Sequence, residues 1–106
     1  METVVLQNVL GWLHSEHLDL RCIAAKILLA LARNPENRSI VDRQLVSLID
    51  GDCVYIKNLI LRRINKSEGV SDSVKEYIMN KCKADPNYVV RMVCLEDCVR
   101  SRDMNE

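Results

Sequence analysis

His14 and His17 are separated by two residues, and Cys22 follows five residues later. Imidazole nitrogens and thiolates are zinc ligands, and an H-x-x-H pair brought to cysteines by folding is one way to build a tetrahedral site. No C-x-x-C pair completes that set. The two histidines are therefore read as residues of a solvated inter-helix turn, and no metal or other cofactor is expected. Cys94 and Cys98 lie four residues apart, on one side of a helix and at apolar spacing, so they read as buried thiols. Cys53 sits in a turn and reads as the more exposed thiol. A nucleophilic cysteine needs an adjacent base, and no Cys–His spacing supplies one. There is no glycine-rich loop to cradle phosphate and no carboxylate pair for acid–base work. Asp50, Asp52 and Glu36 suit turns and helix starts. The chain is read as a non-enzyme.

The elements that carry these residues follow from periodicity. Val5, Val9, Leu10 and Leu13 recur at helical spacing with Trp12 alongside, and His14 to Asp19 interrupts them. Ile23, Ala24, Ile27, Leu28 and Leu31 resume the pattern in a stretch rich in strong helix formers. Asn34-Pro35 stops it, because the residue before proline avoids the α region. A short helix is expected over Glu36 to Val41, and a further apolar face at Leu45, Val46, Leu48 and Ile49, ended by Asp50-Gly51-Asp52. A helix is expected over Val54 to Asn65, with Ile56, Leu59, Ile60 and Ile64 on one face. Val74, Ile78 and Cys82 mark the next, capped by Ser71 or Asp72. Asp85-Pro86-Asn87 breaks the chain before a last helix over Val89 to Ser101, and residues 102–106 read as a polar tail. No segment alternates as a strand does.

These blocks repeat. With Arg21, Lys57 and Arg91 in register, the steps are 36 and 34 residues. An aliphatic residue precedes each: Leu20, Ile56 and Val90. Three residues after come Ala24, Ile60 and Cys94, and seven after come Leu28, Ile64 and Cys98. An apolar helix ending at Leu13, Ile49 or Cys82 precedes each turn. Helix pairs of this kind cannot bury their apolar faces alone, and stacking buries them.

The segment Ala32-Arg33-Asn34-Pro35-Glu36-Asn37-Arg38-Ser39-Ile40-Val41 resembles the passage between armadillo repeats, and Leu45-Val46-Ser47-Leu48-Ile49 is similar to that family's Leu-Val-x-Leu-Leu helix. Asp85-Pro86-Asn87-Tyr88-Val89-Val90-Arg91 resembles the Asp-Pro turn and Val-Arg helix start of HEAT repeats. The usual armadillo glycine turn is shortened between Val41 and Leu45, and the third unit is the weakest match. The resemblance implies an all-α, right-handed α-solenoid of about three armadillo/HEAT-like repeats. Residues 1–106 would form a single domain with units near 1–35, 36–69 and 70–101 and a tail over 102–106. The charged last helix, with Arg91, Glu96, Asp97, Arg100 and Arg102, would serve as its polar cap.

In such a stack the second helix of each unit lines a concave groove. Its exposed stripe falls one, five and nine residues after the aligned basic position. That gives Cys22, Lys26 and Ala30, then Asn58, Arg62 and Lys66, then Met92, Glu96 and Arg100. The candidate partner-binding residues are Lys26, Asn58, Arg62, Lys66, Met92, Glu96 and Arg100. The asparagine and tryptophan ladders of the family's peptide-binding members are absent: Ala30, Lys66 and Arg100 replace the first, and Lys26, Arg62 and Glu96 the second. The resemblance thus implies a protein–protein interaction scaffold or adaptor, part of a larger protein, and the stripe, with four basic residues and one acidic among nine, suits a protein or peptide segment of acidic character. A nucleic-acid-binding HEAT-like domain and a six-helix death-type bundle are the alternatives. Six residues after the aligned position stand Arg63 and Asp97, which are expected to pair between units two and three.

Composition bounds these readings. Gly and Pro, three and two in number, are too few for a β-sandwich's turns, and 48% hydrophobic residues are too many for a disordered chain. Fifteen basic residues balance fifteen acidic ones, which argues against a general nucleic-acid binder. The longest apolar stretch, Ile23 to Ala32, is interrupted by Lys26 and too short to span a bilayer, so no membrane is expected. Met1-Glu2-Thr3 lacks the basic start of a signal peptide. Five cysteines without disulfide spacing point to an intracellular compartment, cytoplasmic or nuclear. The apolar N-terminal helix, Val4 to Val9, is the candidate homo-oligomer surface.

Overall fold

The helical periodicities become six α-helices in the computed structural model, which describes the backbone of residues 2–105 and the side chains of residues 4–99. They are α1 Glu2–Trp12, α2 Leu18–Leu31, α3 Arg38–Asp50, α4 Val54–Arg63, α5 Asp72–Lys83 and α6 Tyr88–Asn105. Two short 3-10 turns, Pro35–Asn37 and Ile64–Lys66, extend the links on either side of α3 and α4. Among the described residues there is no strand.

Local chemistry sets the boundaries. Asn34 accepts the Glu36 amide on its side-chain oxygen, while Asn37 Nδ2 donates to the Leu31 carbonyl at 3.2 Å. Together these close the end of α2 and start the chain into α3. The short helix and separate apolar face expected here form one continuous helix, because Asp42-Arg43-Gln44 contains no breaker and Val41, Leu45 and Ile49 share one buried face. Ser71 occupies the N-cap position of α5 without capping it. Its hydroxyl and amide both go to the Asp42 carboxylate, which ties α3 to α5. Asn87 Oδ1 accepts the Val89 amide at 2.8 Å and caps α6, and Arg91 Nη1 donates to the carbonyls of Asp85 and Pro86. The Asp-Pro turn is thus locked from both sides.

The register read from the sequence is the register of the core. Ala24, Leu28, Ile60, Ile64 and Cys94 are fully buried, and Cys98 is half-buried. Ile23 instead faces solvent. Helices α2, α4 and α6 pack side by side in a row, α3 packs on α5, and α5 packs on α6. Helix α1 covers α2. The shortest principal dimension, 18 Å, is the thickness of about two helix layers at the usual 8–10 Å spacing.

Two further expectations change. Asp97 is met by Asn65 Nδ2, not by Arg63, which is exposed. Asn65 lies in the 3-10 turn that tightens the end of α4, and a regular 3.6-residue period does not place it. The last helix is not simply a polar cap. Val90, Val93 and Cys94 are buried on its inner face, and Tyr88, Met92, Leu95 and Val99 stand exposed on the other side.

Candidate functional site

Five cationic side chains gather where α2 and α4 run side by side. A groove of about 750 Å³ is lined by Lys26, Leu29, Ala30 and Arg33 from α2 and its end, and by Tyr55, Asn58, Leu59, Arg62 and Arg63 from α4. Lys66, Ser67 and Glu68 complete it from the following turn. Leu29 is buried and Leu59 is packed against the core, so both are held in place by the same apolar face that joins the helices. Lys26, Arg33, Arg62, Arg63 and Lys66 all stand exposed around them. Among the described residues none of these five cations forms an ion pair, and Glu68 is the single acid of the lining.

The turn that closes this groove depends on Gly69. Its φ of +89° lies in the left-handed region, and a Cβ there would stand 1.9 Å from the Ala32 carbonyl oxygen. Only glycine lets the chain after Lys66 pass this close to the end of α2. That approach places Ser67 and Glu68 in the lining of the groove with Arg33 and Lys26.

Four of the seven predicted groove residues meet here: Lys26, Asn58, Arg62 and Lys66. Met92 and Glu96 are exposed on α6 and do not line the groove. Arg100 has a helical backbone, and its side chain lies outside the described residues. Arg33, Arg63 and Tyr55 were not expected. Arg33 follows the last turn of α2, and Arg63 sits one residue from Arg62 at the point where α4 tightens into a 3-10 turn. Tyr55, 69% exposed, supplies an aromatic face that the stripe spacing leaves out. The Asn58 side-chain oxygen is buried with no hydrogen-bond partner, as is Arg21 Nε.

A second groove of about 830 Å³ opens at the turns preceding α4 and α6, with Asp50, Asp52, Tyr77, Lys81 and Asn87 around it. Several of its polar groups pair with one another. Tyr77 donates to Asp50 at 2.7 Å, which holds the phenol above its ordinary pKa, and Lys81 stands 3.6 Å from the same carboxylate. Lys57 and Asp85 pair at its floor.

The residues read for metal chemistry are dispersed. His14 and His17 are exposed in the turn between α1 and α2, and Cys22 and Cys53 are half-buried. Among the described residues no three His, Cys, Asp or Glu side chains converge as a metal site would require. Cys82 and Cys94 are fully buried. Burial pushes the Cys82 thiol up to about 12, with Cys94 and Asp85 adding to it. Burial likewise takes Cys94 to about 11. Neither thiol forms a thiolate readily.

No protein family, curated protein or solved structure matches the chain. No helix among the described residues is long and apolar enough to cross a membrane.

Proposed function

We propose that the chain is a protein–protein interaction module, a right-handed α-solenoid of three armadillo/HEAT-like helix pairs whose α2–α4 groove holds an acidic segment of a partner. Support for the architecture comes from the row α2–α4–α6, the packing of α3 on α5 and the thickness of about two helix layers. One observation carries the function: five cations converge on a groove with one acid in a chain of zero net charge. Exposed like charges gathered over an apolar floor repel one another, and a carboxylate-bearing ligand relieves that repulsion. Arg62 and Arg63 can each hold a carboxylate through two parallel N–H bonds. Asn58 lies one turn before Arg62 in the groove lining, and its side-chain amide suits a hydrogen bond to a partner's backbone. Leu29 and Leu59 provide apolar contact between the charges.

Tyr55 at the groove favours a second reading, in which single-stranded nucleic acid stacks a base on the ring while the cations take phosphates. The balanced net charge argues against it.

The test is capture of partners from cell extract by wild type, Arg62→Glu and Arg43→Glu, an exposed arginine on α3 outside the groove. Circular dichroism first establishes that both variants fold. Partner proteins that are lost with Arg62→Glu and kept with Arg43→Glu support the reading. Equal loss from both variants sinks it. Binding to a generic oligonucleotide that falls steeply with salt and survives nuclease-free competition by acidic peptides transfers the groove to nucleic acid.

A further inference from the structure

Helix α6 is apolar on two opposite sides. Val90, Val93 and Cys94 pack inward against α4 and α5. At 100° per residue their directions centre diametrically across from Tyr88, Met92, Leu95 and Val99. Those four side chains are 64%, 39%, 60% and 51% exposed. They follow a spacing of four, three and four residues, the apolar seam of a two-helix coiled coil. An exposed apolar stripe opposite a buried one marks a surface for a further contact. Here α6 ends the row of α2 and α4, so its outer side has no neighbour among the described residues.

We infer that this stripe pairs with the same stripe of a second copy of the chain, the two α6 helices lying parallel about a two-fold axis. Charge placement selects the partner and its direction. With Met92 and Val99 at a positions and Leu95 at d, Arg91 falls at g and Glu96 at the e position five residues later. That is the g-to-e′ spacing which links opposite charges across a parallel pair. The two-fold makes the contact twice: Arg91 keeps Nη1 on the carbonyls of Asp85 and Pro86 and turns its remaining guanidinium N–H groups to Glu96 of the other copy. An antiparallel pair would place Glu96 near the apolar Val89 and leave Arg91 beside Cys98, with no ion pair on either flank. Helix α1 is a poorer seam: Val4, Val5 and Trp12 are exposed, but Asn8 falls at the centre of that face. On this inference the homo-oligomer surface lies on the C-terminal helix, where the sequence alone points to the N-terminal one. A seam of three turns is small for a protein interface, so the dimer is a reversible one whose population rises with concentration.

Sedimentation velocity over a hundredfold range of concentration reads this out. Wild type should pass from monomer to dimer. Leu95→Glu, which puts two carboxylates into the seam, should weaken association by at least about tenfold. Val4→Glu, the same change at an exposed apolar residue away from the seam, should leave it unchanged. Leu95 is already exposed, so circular dichroism of its variant should match wild type. Leu95→Cys should cross-link to its twin under mild oxidation, since d residues face each other in a parallel pair and stand within disulfide reach. Glu96→Arg should weaken the dimer by repulsion of Arg91. Wild type monomeric at every concentration overturns the inference and leaves the stripe to a helix of a different protein. A dimer that survives Leu95→Glu overturns it as well. A dimer without the Leu95→Cys cross-link overturns the parallel arrangement.

Discussion

The ammonium group of Lys57 lies 2.7 Å from a carboxylate oxygen of Asp85, and the two side chains are only 9% and 7% exposed. Lys57 belongs to α4, and Asp85 to the turn that launches α6. The pair therefore fixes the start of α6 to the flank of α4, its neighbour in the row. The Asp85 carboxylate also accepts the Asn87 amide at 2.8 Å, and Arg91 holds the carbonyl of Asp85 itself. Breaking a buried pair from one side strands the other charge, which typically costs about 3–5 kcal/mol. Asp85→Ala should cost about that much in urea unfolding, and replacing both with apolar residues (Lys57→Met with Asp85→Leu) should cost less than the single change. Equal losses for the single and the double variant would show that the pair is not energetically coupled.

The same carboxylate makes stability depend on pH. Burial raises the Asp85 pKa, but the hydrogen bond from Lys57, the Asn87 amide and the charges of Lys57 and Arg91 outweigh it. The carboxyl therefore titrates below its ordinary value. As pH falls below the unfolded-state value of about 3.9, the unfolded chain takes up this proton before the folded one does. The stabilisation is complete above that pH and is lost as pH drops through the lower folded value. Unfolding free energy should fall with acidification in that window, and Asp85→Asn should flatten the slope there. A slope identical in the two proteins would assign the acid lability to other carboxylates.

Gly69→Ala tests the turn that closes the groove. The substitution forces a non-glycine residue to a φ of +89° and drives its Cβ into the Ala32 carbonyl. Positive φ alone costs about 1–3 kcal/mol for such a residue, and the clash adds to it. Thermal unfolding should show a clear loss, whereas Gly11→Ala, where a Cβ meets nothing within 4 Å, should stabilise α1 by about 0.5–1 kcal/mol. A neutral Gly69→Ala would mean that the loop moves off α2 without cost.

Ile60→Ala tests the core at its centre. Ile60 is fully buried on α4, the helix that packs between α2 and α6. Removing its methylenes should cost about 2–5 kcal/mol by chemical denaturation, a large part of the stability of a domain this small. A loss below about 0.5 kcal/mol, the range of surface changes, would contradict its burial.

The cysteines should divide by burial when the native protein is treated with iodoacetamide. Cys82 and Cys94 are fully buried, with thiol pKa values near 12 and 11, so they should remain unmodified at mildly alkaline pH until the protein opens. Cys53 and Cys98, half-buried, should react first. Peptide mass spectrometry of the alkylated protein identifies the sites, and early labelling of Cys82 would refute its place in the core.

What the sequence determined by itself was periodicity. Apolar residues at helical spacing dictated helices, proline and glycine turns ended them, and the recurrence of Ala24, Ile60 and Cys94 at one register position marked a shared inward face. These are local or repeated signals, and a side chain's direction on a helix follows from its place in the 3.6-residue turn. The sequence also brought Lys26, Asn58, Arg62 and Lys66 onto one stripe. Tertiary structure decided what depends on neighbours. Arg33 and Arg63, at the ends of α2 and α4, and Tyr55, at the start of α4, joined the groove because the two helices pack side by side, and Gly69 folds the turn after α4 back against the end of α2. Met92 left it because α6 turns that residue outward, with Leu95 and Val99. Asp85 found Lys57 across 28 residues, a pairing that no local pattern specifies. An amphipathic period tells which side of a helix is apolar, but only the packed arrangement tells whether a second apolar side, such as that of α6, has anything to pack against.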